Sequence, residues 1–337
     1  MKNKDLSVII PYYNSPKHLK RLLDSLAASN FIDDCEIIIV DDGSPFALQN
    51  NFMDNYPILF AFHRLEKNSG PAAARNYGAS LAQTTNLLFL DADTVVYKDT
   101  LKHSIAVLKN KIIFVGNVSS ELVEDNFFQK YKSYIELYWK PDEDYTTVAE
   151  TKIFGIPKNI FEEVGGFNTN YKKADVEDYE FGYRLMKKKH KISFEKDIIV
   201  KHHHADFFSF FRKCFERVYL WVILKKYYNR SFDNHGTSMV VAAGQILGFL
   251  SMIFFIGVFF NSLFIFFFAV SIILFFIITR KLWKIIFANK ENVPFVLYTL
   301  FCYLVLTIPV IIGAMAGYIA YYLGLSKKIK KDEFHSF

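Results

Sequence analysis

Short apolar runs and helix-like segments alternate along the first part of the chain. Four runs of mostly apolar residues are typical of strands buried on both faces, and they lie at Leu6–Ile10, Glu36–Val40, Ile58–Phe62 and Leu87–Leu90. Leucines between the first two runs recur at helical spacing, at Leu19, Leu22, Leu23 and Leu26. The alanine-rich segment Gly70–Ala82 predicts a further helix. Strands that alternate with helices predict an α/β domain with a mostly parallel sheet.

Charged side chains are absent from two long stretches near the end of the chain. The first, residues 239–279, is long enough for two membrane-spanning helices, because one span needs about 20 apolar residues. We predict these helices at 239–260 and 262–279. The short polar break Asn261–Ser262 would form the turn between them.

The second uncharged stretch, residues 292–326, is too long for one upright span. A helix of this length measures about 50 Å, whereas the hydrocarbon core of a bilayer is about 30 Å thick. Pro309 lies near its middle. Residues 293–325 therefore form either one long, kinked helix or a tight helical hairpin. Basic residues flank the stretch on both sides, and their preference for the cytoplasmic side weakly favours the hairpin.

These patterns divide the chain into four segments. They are an α/β domain over 1–206, a linker over 207–237, membrane helices over 238–326 and a basic tail over 327–337. Basic and aromatic residues alternate in the linker, which predicts an amphipathic helix in contact with membrane lipids. A helix packed on the domain is the alternative. No signal-peptide pattern precedes the first strand, so we expect a multi-pass membrane protein whose α/β domain is cytoplasmic.

Charge and cysteine content exclude several classes of protein. Residues 238–337 hold 8 of the 40 Lys and Arg residues but only 3 of the 34 Asp and Glu residues, so they account for most of the net charge of +6. The nearly neutral first part is therefore unsuited to nucleic acid, and no nucleic-acid partner is expected. Cys35, Cys214 and Cys302 are far apart and form no disulfide framework or zinc motif, which fits a reducing compartment.

Acidic residues follow two of the predicted strands. Asp41 and Asp42 follow the second run, and Asp91 and Asp93 follow the fourth. Ligands of open α/β sheets bind beyond the carboxyl ends of the strands. Carboxylate oxygens suit Mg²⁺ or Mn²⁺, and either ion can stabilise charge on a diphosphate. Taken alone, the Asp-x-Asp pattern is also compatible with a solvated turn.

Two further segments carry groups that suit a phosphate and a metal. Small residues near Gly70 let a backbone approach a ligand, and Arg75 can pair with phosphate, although a surface position is the alternative. His202 and His204 lie on the same face of an extended segment, while His203 faces the other way. One of these imidazoles, for which we take His204, would complete a metal site. Three partly exposed histidines without a metal are the alternative.

Carboxylates also crowd together at Asp175, Glu177, Asp178 and Glu180. Like charges at close range raise a carboxylate pKa and suit one of them to proton abstraction. An acidic helix N-terminus with an i,i+4 pair between Glu180 and Arg184 is the alternative. That alternative explains Glu180 and Arg184 but does not require the Glu177–Asp178 pair.

Taken in order, these pieces resemble family 2 glycosyltransferases of the GT-A fold. The resemblance covers about residues 5–205 and is carried by Val8–Asn14, Val40–Ser44, Gly70–Asn76, Asp91–Asp93, Gly165–Phe167 and Glu177–Glu180. It implies a GT-A-type nucleotide-sugar-binding domain, a nucleotide-diphospho-sugar donor and inversion at the anomeric carbon. The C-terminal membrane helices would follow this domain.

The resemblance also implies roles for individual residues. Pro11–Tyr13 and Asp41–Asp42 would hold the nucleoside, Asp91 and Asp93 the metal and the ribose-diphosphate, and Asp178 would be the acceptor base. Gly165–Phe167 would shape the acceptor side. The predicted substrate-binding residues are Pro11, Tyr13, Asn14, Asp41, Asp42, Ser44, Gly70, Arg75, Asn76, Asp91, Gly166 and Glu177. The predicted ligands of Mg²⁺ or Mn²⁺ are Asp91, Asp93 and His204.

The expected activity is metal-dependent transfer of a single sugar to a lipid-linked or cell-envelope glycan acceptor at the cytoplasmic membrane face. Processive synthases of this family carry Gln-x-x-Arg-Trp after the base, whereas Phe215–Trp221 lacks both the Gln and the spacing. A polyprenyl-phosphate glycosyltransferase and a small processive synthase are alternatives. A non-catalytic membrane scaffold is a third, which the presence of Asp93 and Asp178 disfavours.

Overall fold

The chain folds into two compact units. The computed structural model describes residues 4–46, 48, 52, 56, 60–173, 175–230 and 232–325. The first unit comprises the described residues up to Val123 together with Pro141–His203, and the second comprises Glu124–Lys140 and the residues from His204 onward. This division differs from the single α/β domain predicted over 1–206, because the segment 124–140 groups with the second unit. The predicted basic tail, 327–337, lies outside the described residues.

One mixed sheet organises the first unit. Within the described residues its strands are β1 (Leu6–Tyr12), β2 (Cys35–Asp41), β3 (Phe60–Arg64), β4 (Asn86–Leu90), β5 (Thr94–Val96), β6 (Ile113–Val118), β7 (Tyr145–Thr146), β8 (Ile153–Pro157) and β9 (Ile192–His202). Their order is β3-β2-β1-β4-β8-β6-β9-β5, and β7 pairs with β9. The neighbours β3, β2, β1 and β4 are parallel, as predicted, whereas β8 is antiparallel to both β4 and β6.

The four predicted strands correspond to β1 to β4. The third begins at Phe60 and continues to Arg64, and residues 58 and 59 of the predicted run lie outside the described residues. Because β2 and β4 are both parallel to β1, their carboxyl ends share one edge of the sheet. That edge carries Asp41 as the last residue of β2, Asp42 directly after it, and Asp91 and Asp93 after β4.

Helices cover both faces of this sheet. They are α1 (Pro16–Ala27), α2 (Pro71–Leu81), α3 (Thr100–Lys109), α5 (Lys158–Val164) and α6 (Glu177–Lys187), while α4 (Phe127–Trp139) belongs to the second unit. The predicted leucine face of α1 is fully buried. It packs with Val8 and Ile10, while Ile9 faces the opposite core. The alternation along β1 therefore places apolar side chains in two cores at once.

Small residues bring α2 close to the sheet. A Cβ added to Gly78 would lie only 2.6 Å from Cγ2 of Ile9, which is closer than side chains pack. Ala72 and Ala74 are also buried. The alanine and glycine content of this helix therefore reflects close packing on β1, which fixes the position of the helix N-terminus at Gly70.

The second unit is helical within the described residues. Besides α4 it contains α7 (Phe207–Tyr227), α8 (Met239–Gly257), α9 (Phe264–Ile278), α10 (Arg280–Ala288) and α11 (Val293–Tyr322). By length and composition, α8 and α11 can each cross a membrane. A bend of 65° separates α9 from α10, and the bent pair qualifies as a third span if it is counted as one.

The uncharged stretches form helices close to the predicted bounds. Asn261 and Ser262 lie between α8 and α9, as predicted for the first stretch. The second stretch forms the single helix α11, with Pro309 inside it. The hairpin interpretation of 293–325 is therefore wrong, and the alternative of one long helix is correct. A proline removes one backbone donor without requiring a reversal of the chain, so its presence alone does not make a turn.

A small-residue stripe on α11 receives α7. Cβ atoms added to Gly313 and Gly317 would lie 2.7 Å from the carbonyl oxygens of Phe215 and Tyr219, respectively. Glycines four residues apart let two helix backbones approach closely, as in membrane helix pairs. The linker thus forms the predicted helix, and this helix packs along α11. Its contact with membrane lipids stays a prediction.

Replacement of Gly317 by leucine should destabilise the helical unit by about 1–3 kcal/mol or more, because the new side chain cannot fit against the α7 backbone. The measurement is thermal unfolding of the purified protein in detergent. Met315→Leu is the matched control, since Met315 is exposed on the same helix. Equal unfolding temperatures for the two variants would contradict this packing.

Candidate active site

Two aspartates at the end of β2 organise the first part of the site. Asp42 is buried and accepts hydrogen bonds from the backbone N–H groups of Ser69 (2.7 Å) and Gly70 (2.8 Å). Burial raises the pKa of Asp42, although these two hydrogen bonds oppose the shift. Asp42 therefore holds the loop that leads into α2. Gly70 has φ of +93°, and an added Cβ would lie 2.8 Å from the Lys172 backbone, so only glycine fits there.

Asp41 is fully buried and one of its oxygens is left without a hydrogen bond. Its Oδ1 accepts from the backbone N–H and the hydroxyl of Ser44, and the Ser44 hydroxyl oxygen accepts from the backbone N–H of Asn14 (2.8 Å). Its Oδ2 makes no hydrogen bond among the described residues, and the Arg64 Nε lies 3.7 Å away. A buried acceptor without a partner is costly, and this one would be satisfied by an N–H group of a ligand.

Asp91 and Asp93 follow β4, as the sequence predicted. One oxygen of Asp91 pairs with Arg75, and the other, among the described residues, makes only a 3.5 Å contact with the Thr151 hydroxyl. Asp93 Oδ1 lies 3.4 Å from Nε2 of His202, which stands opposite Thr94 in the β5–β9 pair. Two carboxylates at the end of a strand, one with an oxygen that is only weakly engaged, fit a hard divalent cation.

The environment of Asp93 keeps its carboxylate ionised. Burial would raise its pKa, but the neighbouring imidazoles of His202 and His18 outweigh this effect and lower the pKa to about 2. The Asp93 carbonyl also accepts the backbone N–H of His203 at 2.9 Å, and the His203 ring lies 4.3 Å from that of His18. The histidine run therefore contributes to the Asp93 surroundings through His202 and His203.

A buried arginine connects the strand-end aspartates to the acidic helix. Arg75 is only 3% exposed; its Nη2 lies 2.7 Å from Oδ1 of Asp91 and its Nη1 lies 3.1 Å from Oε1 of Glu177. The face of the Phe167 ring lies 5.5 Å from its Cζ. From the sequence, Arg75 was predicted to bind a phosphate or to lie at the surface, whereas in the structure it pairs with two carboxylates.

Glu177 and Asp178 begin helix α6 and differ in exposure. Glu177 is buried between Arg75 and the backbone N–H of Asp175, which lies 2.9 Å from its Oε2. Asp178 is half-buried, accepts the backbone N–H of Tyr179 at 2.9 Å, and its carbonyl accepts the N–H of Ala149. Of this pair, Asp178 is the less buried residue.

The predicted pair between Glu180 and Arg184 is confirmed. Arg184 donates from Nε and Nη2 to the fully buried Glu180 carboxylate at 2.6 and 2.7 Å. It also donates to the carbonyls of Val164 and Gly166. This pair therefore stabilises α6 and the turn that follows α5.

Asn76 holds the Gly165–Phe167 segment. Its side chain donates to the Phe167 carbonyl (2.7 Å) and accepts the Phe167 backbone N–H (2.8 Å). Gly166 has φ of +64°, and a Cβ there would lie 2.8 Å from Asn76 Oδ1. Asn76 and Gly166 were predicted as substrate-binding residues; in the structure Asn76 bonds the Phe167 backbone, and Gly166 leaves no room for a Cβ beside the Asn76 side chain.

The remaining predicted residues fall in different places. Pro11 lies within β1, and the Tyr13 side chain is 48% exposed beyond the end of that strand. His204 is buried in the second unit, where its Nδ1 lies 3.6 Å from Oε1 of Glu136. Gln129 bonds both the N–H and the carbonyl of His204. The role of His204 as a metal ligand stays a prediction. Sequence reasoning missed Thr151 as a neighbour of Asp91, because nothing in the local pattern marks it.

The chain matches a known protein family, and the match agrees with this geometry. The model of glycosyl transferase family 2 matches residues 7–219, which is more than half of the chain and includes the acidic groups of the site described above. The chain belongs to glycosyl transferase family 2. The resemblance inferred from the motifs is thereby confirmed.

Individual relatives are more distant. An uncharacterised glycosyltransferase of Haemophilus influenzae is 31% identical over 194 residues, which cover 54% of this chain and 62% of that protein. The poly(ribitol-phosphate) β-N-acetylglucosaminyltransferase TarS of Staphylococcus aureus is 37% identical over 105 residues, which cover 30% of this chain and 18% of TarS. The chain therefore spans less than two thirds of these relatives.

A solved structure shares the fold over most of the chain. The mannosyltransferase PcManGT of Pyrobaculum calidifontis, in complex with GDP-Man and Mn²⁺, matches with a TM-score of 0.53. The match covers 96% of this chain and 88% of that one, at 14% sequence identity. At this identity the similarity shows the fold alone.

Proposed function

We propose that this family 2 protein transfers a single sugar, with inversion, from a nucleotide-diphospho-sugar to a lipid-linked or cell-envelope glycan acceptor at the cytoplasmic membrane face. One observation carries the proposal. Arg75 forms one ion pair with Asp91 and another with Glu177. These two ion pairs join the predicted metal and diphosphate residues to the helix turn that bears the predicted base, Asp178. The donor-side and acceptor-side chemistry of such a transfer therefore meets at one edge of the sheet.

Asp41 supports the nucleoside part of the donor site. Its Oδ2 is a buried acceptor without a hydrogen bond in the described part of the chain. The Arg64 side chain donates from Nη2 to the Ser44 carbonyl at 2.5 Å, and its Nε stays 3.7 Å from Oδ2, so Oδ2 can still accept from an N–H group of a nucleobase. Ser44 holds the other oxygen, so the carboxylate is already oriented for this contact. Pro11, Tyr13 and Asn14 would complete this end of the donor site.

Asp91 and Asp93 are the proposed ligands of Mg²⁺ or Mn²⁺. The carboxylate of Asp93 is ionised at neutral pH, and one oxygen of Asp91 makes only a weak contact with Thr151. When bound, a divalent cation would stabilise the negative charge on the departing diphosphate. His202 holds Asp93 from one side, and Arg75 holds Asp91. These contacts limit the rotation of both ligand side chains.

Asp178 is the proposed base of the transfer. The oxygen of the acceptor hydroxyl forms a bond to the anomeric carbon while the bond from that carbon to the diphosphate breaks. The nucleoside diphosphate leaves with the bonding electrons, and the hydroxyl proton passes to the Asp178 carboxylate. Attack from the face opposite the leaving group inverts the anomeric carbon. Asp178 is less buried than the adjacent Glu177, which suits this role.

The helical unit supports membrane attachment. Two helices, α8 and α11, are long and apolar enough to cross a bilayer. We propose a multi-pass protein whose basic segment around α10 and whose first unit lie on the cytoplasmic side, as the positive-inside rule favours for that segment. A single crossing by α11 then places the lysines of residues 327–331 on the opposite side, against the same preference. An acceptor attached to a lipid or to the growing envelope would be presented at the cytoplasmic face.

The single helix α11 gives a definite expectation for topology. Fusions after Lys290 and after Phe337 should report opposite sides of the membrane, because one continuous helix separates these positions. The measurement is the activity of a phosphatase reporter that works only outside the cytoplasm. The fusion after Phe337 should be active and the fusion after Lys290 inactive. Equal activities would contradict a single crossing by α11.

A panel of nucleotide sugars tests the proposed activity. The full-length protein, purified in detergent, is incubated with each sugar nucleotide and Mn²⁺ or Mg²⁺, and the release of nucleoside diphosphate is measured. At least one donor should be turned over, faster when membrane-lipid extract supplies an acceptor. Absence of turnover with every donor, in the presence of extract, would contradict the proposal.

A further inference from the structure

Within the part of the chain that the structure describes, Arg75 is the one buried guanidinium that contacts both halves of the proposed site. We propose that it is a positioning residue, which fixes the metal-side carboxylate of Asp91 relative to the helix turn that bears Asp178. The inference rests on the proposed function and assigns Arg75 a role different from phosphate binding. Its partners lie 16 and 102 residues away in the chain, so Arg75 joins three separate segments: the start of α2, the end of β4 and the start of α6.

The contacts of Arg75 leave little capacity for a phosphate. Its two terminal nitrogens each bond a carboxylate, and the side chain is only 4% exposed. Its Nε makes no hydrogen bond in the described structure, but this nitrogen is buried as well. A phosphate ligand would have to reach the three remaining N–H donors of the guanidinium, which are buried with the side chain. Donor affinity should therefore depend little on this residue.

Position 75 requires the planar, forked guanidinium group of arginine. A planar guanidinium presents donors in fixed directions, so it can hold two carboxylates at once. Phe167 packs against the guanidinium at 5.5 Å, and Asn76 holds the backbone of Phe167, so the plane of the fork is supported from behind. Lysine offers one compact ammonium on a flexible stem and cannot reproduce this geometry. The exchange Arg75→Lys therefore keeps the charge and removes the link.

The contacts of Arg75 affect both the proposed metal ligand, Asp91, and the proposed base, Asp178. Asp91 is oriented by Arg75 as a metal ligand, and loss of a residue that orients a ligand typically costs about 10–100-fold in metal affinity or activity. Glu177 is oriented by the same group, and Asp178 is its direct neighbour on the first turn of α6. Release of Glu177 would therefore let the base shift relative to the reacting carbon.

The test compares Arg75→Lys with a variant that loses stability elsewhere. Leu108→Ala is the control, because Leu108 is 1% exposed in the core beneath α3 and belongs to no part of the site. Full-length proteins are purified, and their folded fractions are set equal from thermal unfolding curves. Mn²⁺ affinity is measured by electron paramagnetic resonance without donor. Nucleoside diphosphate release then gives kcat and the donor KM for a sugar nucleotide that the wild type uses.

Arg75→Lys should lower kcat by about 10–100-fold and weaken Mn²⁺ binding by about tenfold or more, with the donor KM within about twofold of wild type. Leu108→Ala should unfold at a lower temperature with kcat, KM and Mn²⁺ affinity unchanged. A rise in donor KM with kcat retained would overturn the inference and restore Arg75 as a phosphate ligand. Values equal to those of Leu108→Ala would reduce Arg75 to a structural residue. A wild type that neither binds Mn²⁺ nor releases nucleoside diphosphate would instead refute the proposed function on which the inference rests.

Discussion

Replacement of Asp93 by asparagine should lower donor turnover by about 10²-fold or more while the protein stays folded. The low pKa of Asp93, about 2, means that the wild-type side chain carries a full negative charge at neutral pH. Asparagine keeps the size and removes this charge, so a divalent cation at the diphosphate would lose an anionic ligand. Charge stabilisation by such a cation is worth several kcal/mol, and each 1.4 kcal/mol is about tenfold in rate.

Nucleoside diphosphate release with and without EDTA measures this effect. EDTA should abolish activity of the wild type, and added Mn²⁺ or Mg²⁺ should restore it. Asp144→Asn is a suitable control, because Asp144 is an exposed carboxylate paired with Lys196 and should retain wild-type rates. Undiminished turnover of the wild type in EDTA would contradict a metal-dependent reaction, and undiminished turnover of Asp93→Asn would remove Asp93 from the proposed ligands.

The sheet and the positions of its acidic residues could be predicted because local patterns determine them. A run such as Glu36–Val40 is apolar on both faces only if helices cover both faces, and this requirement already implies a layered α/β unit. Such a strand ends where polar residues begin, which placed Asp41 and Asp91 at the correct edge. The leucines of α1 were predicted for the same reason, since one helical face must be buried against the sheet.

Contacts between distant segments could not be predicted in this way. The local sequence around Arg75 gives no sign that its partners are Asp91 and Glu177, because charge pairing inside a core depends on which segments the fold brings together. A buried arginine and a solvated one look alike in sequence. Asn76 was assigned to substrate for a similar reason, although both polar groups of its side chain bond the Phe167 backbone.

The grouping of helix α4 with the second unit could not be predicted for a related reason. Helix α4 lies within the chain segment predicted for the α/β domain, yet it packs with the helices of the second unit, where Lys130 and Tyr134 bond Glu291. Its length and apolar content fit either location, so the choice depends on partners far along the chain. The sequence around Pro309 also left two structures open, because a proline is compatible with a kinked helix and with a turn.

Removal of the proposed base should cause the second large loss of activity. Asp178→Asn should lower kcat by about 10²–10⁴-fold, which is the usual contribution of a general base. Asparagine preserves the size of the side chain and its contact with the Tyr179 N–H, but it cannot accept the proton of the acceptor hydroxyl. Binding of the nucleoside diphosphate should change little, because the proposed donor contacts lie at Asp41, Asp42 and Asp91. The two measurements are steady-state transfer and calorimetric binding of the nucleoside diphosphate.

Glu180→Gln separates this effect from damage to helix α6. Glu180 is fully buried and holds Arg184, so the variant should unfold more easily, by at most the 3–5 kcal/mol typical of a broken buried pair. Its turnover per folded molecule should fall much less than that of Asp178→Asn, because Glu180 pairs with Arg184, which holds the turn after α5. If Asp178→Asn transfers sugar at nearly the wild-type rate, or loses donor binding in proportion to activity, Asp178 is not the base. Asp175 would then be the next carboxylate to test, since Glu177 is already engaged by Arg75 and would have to break that pair to accept a proton.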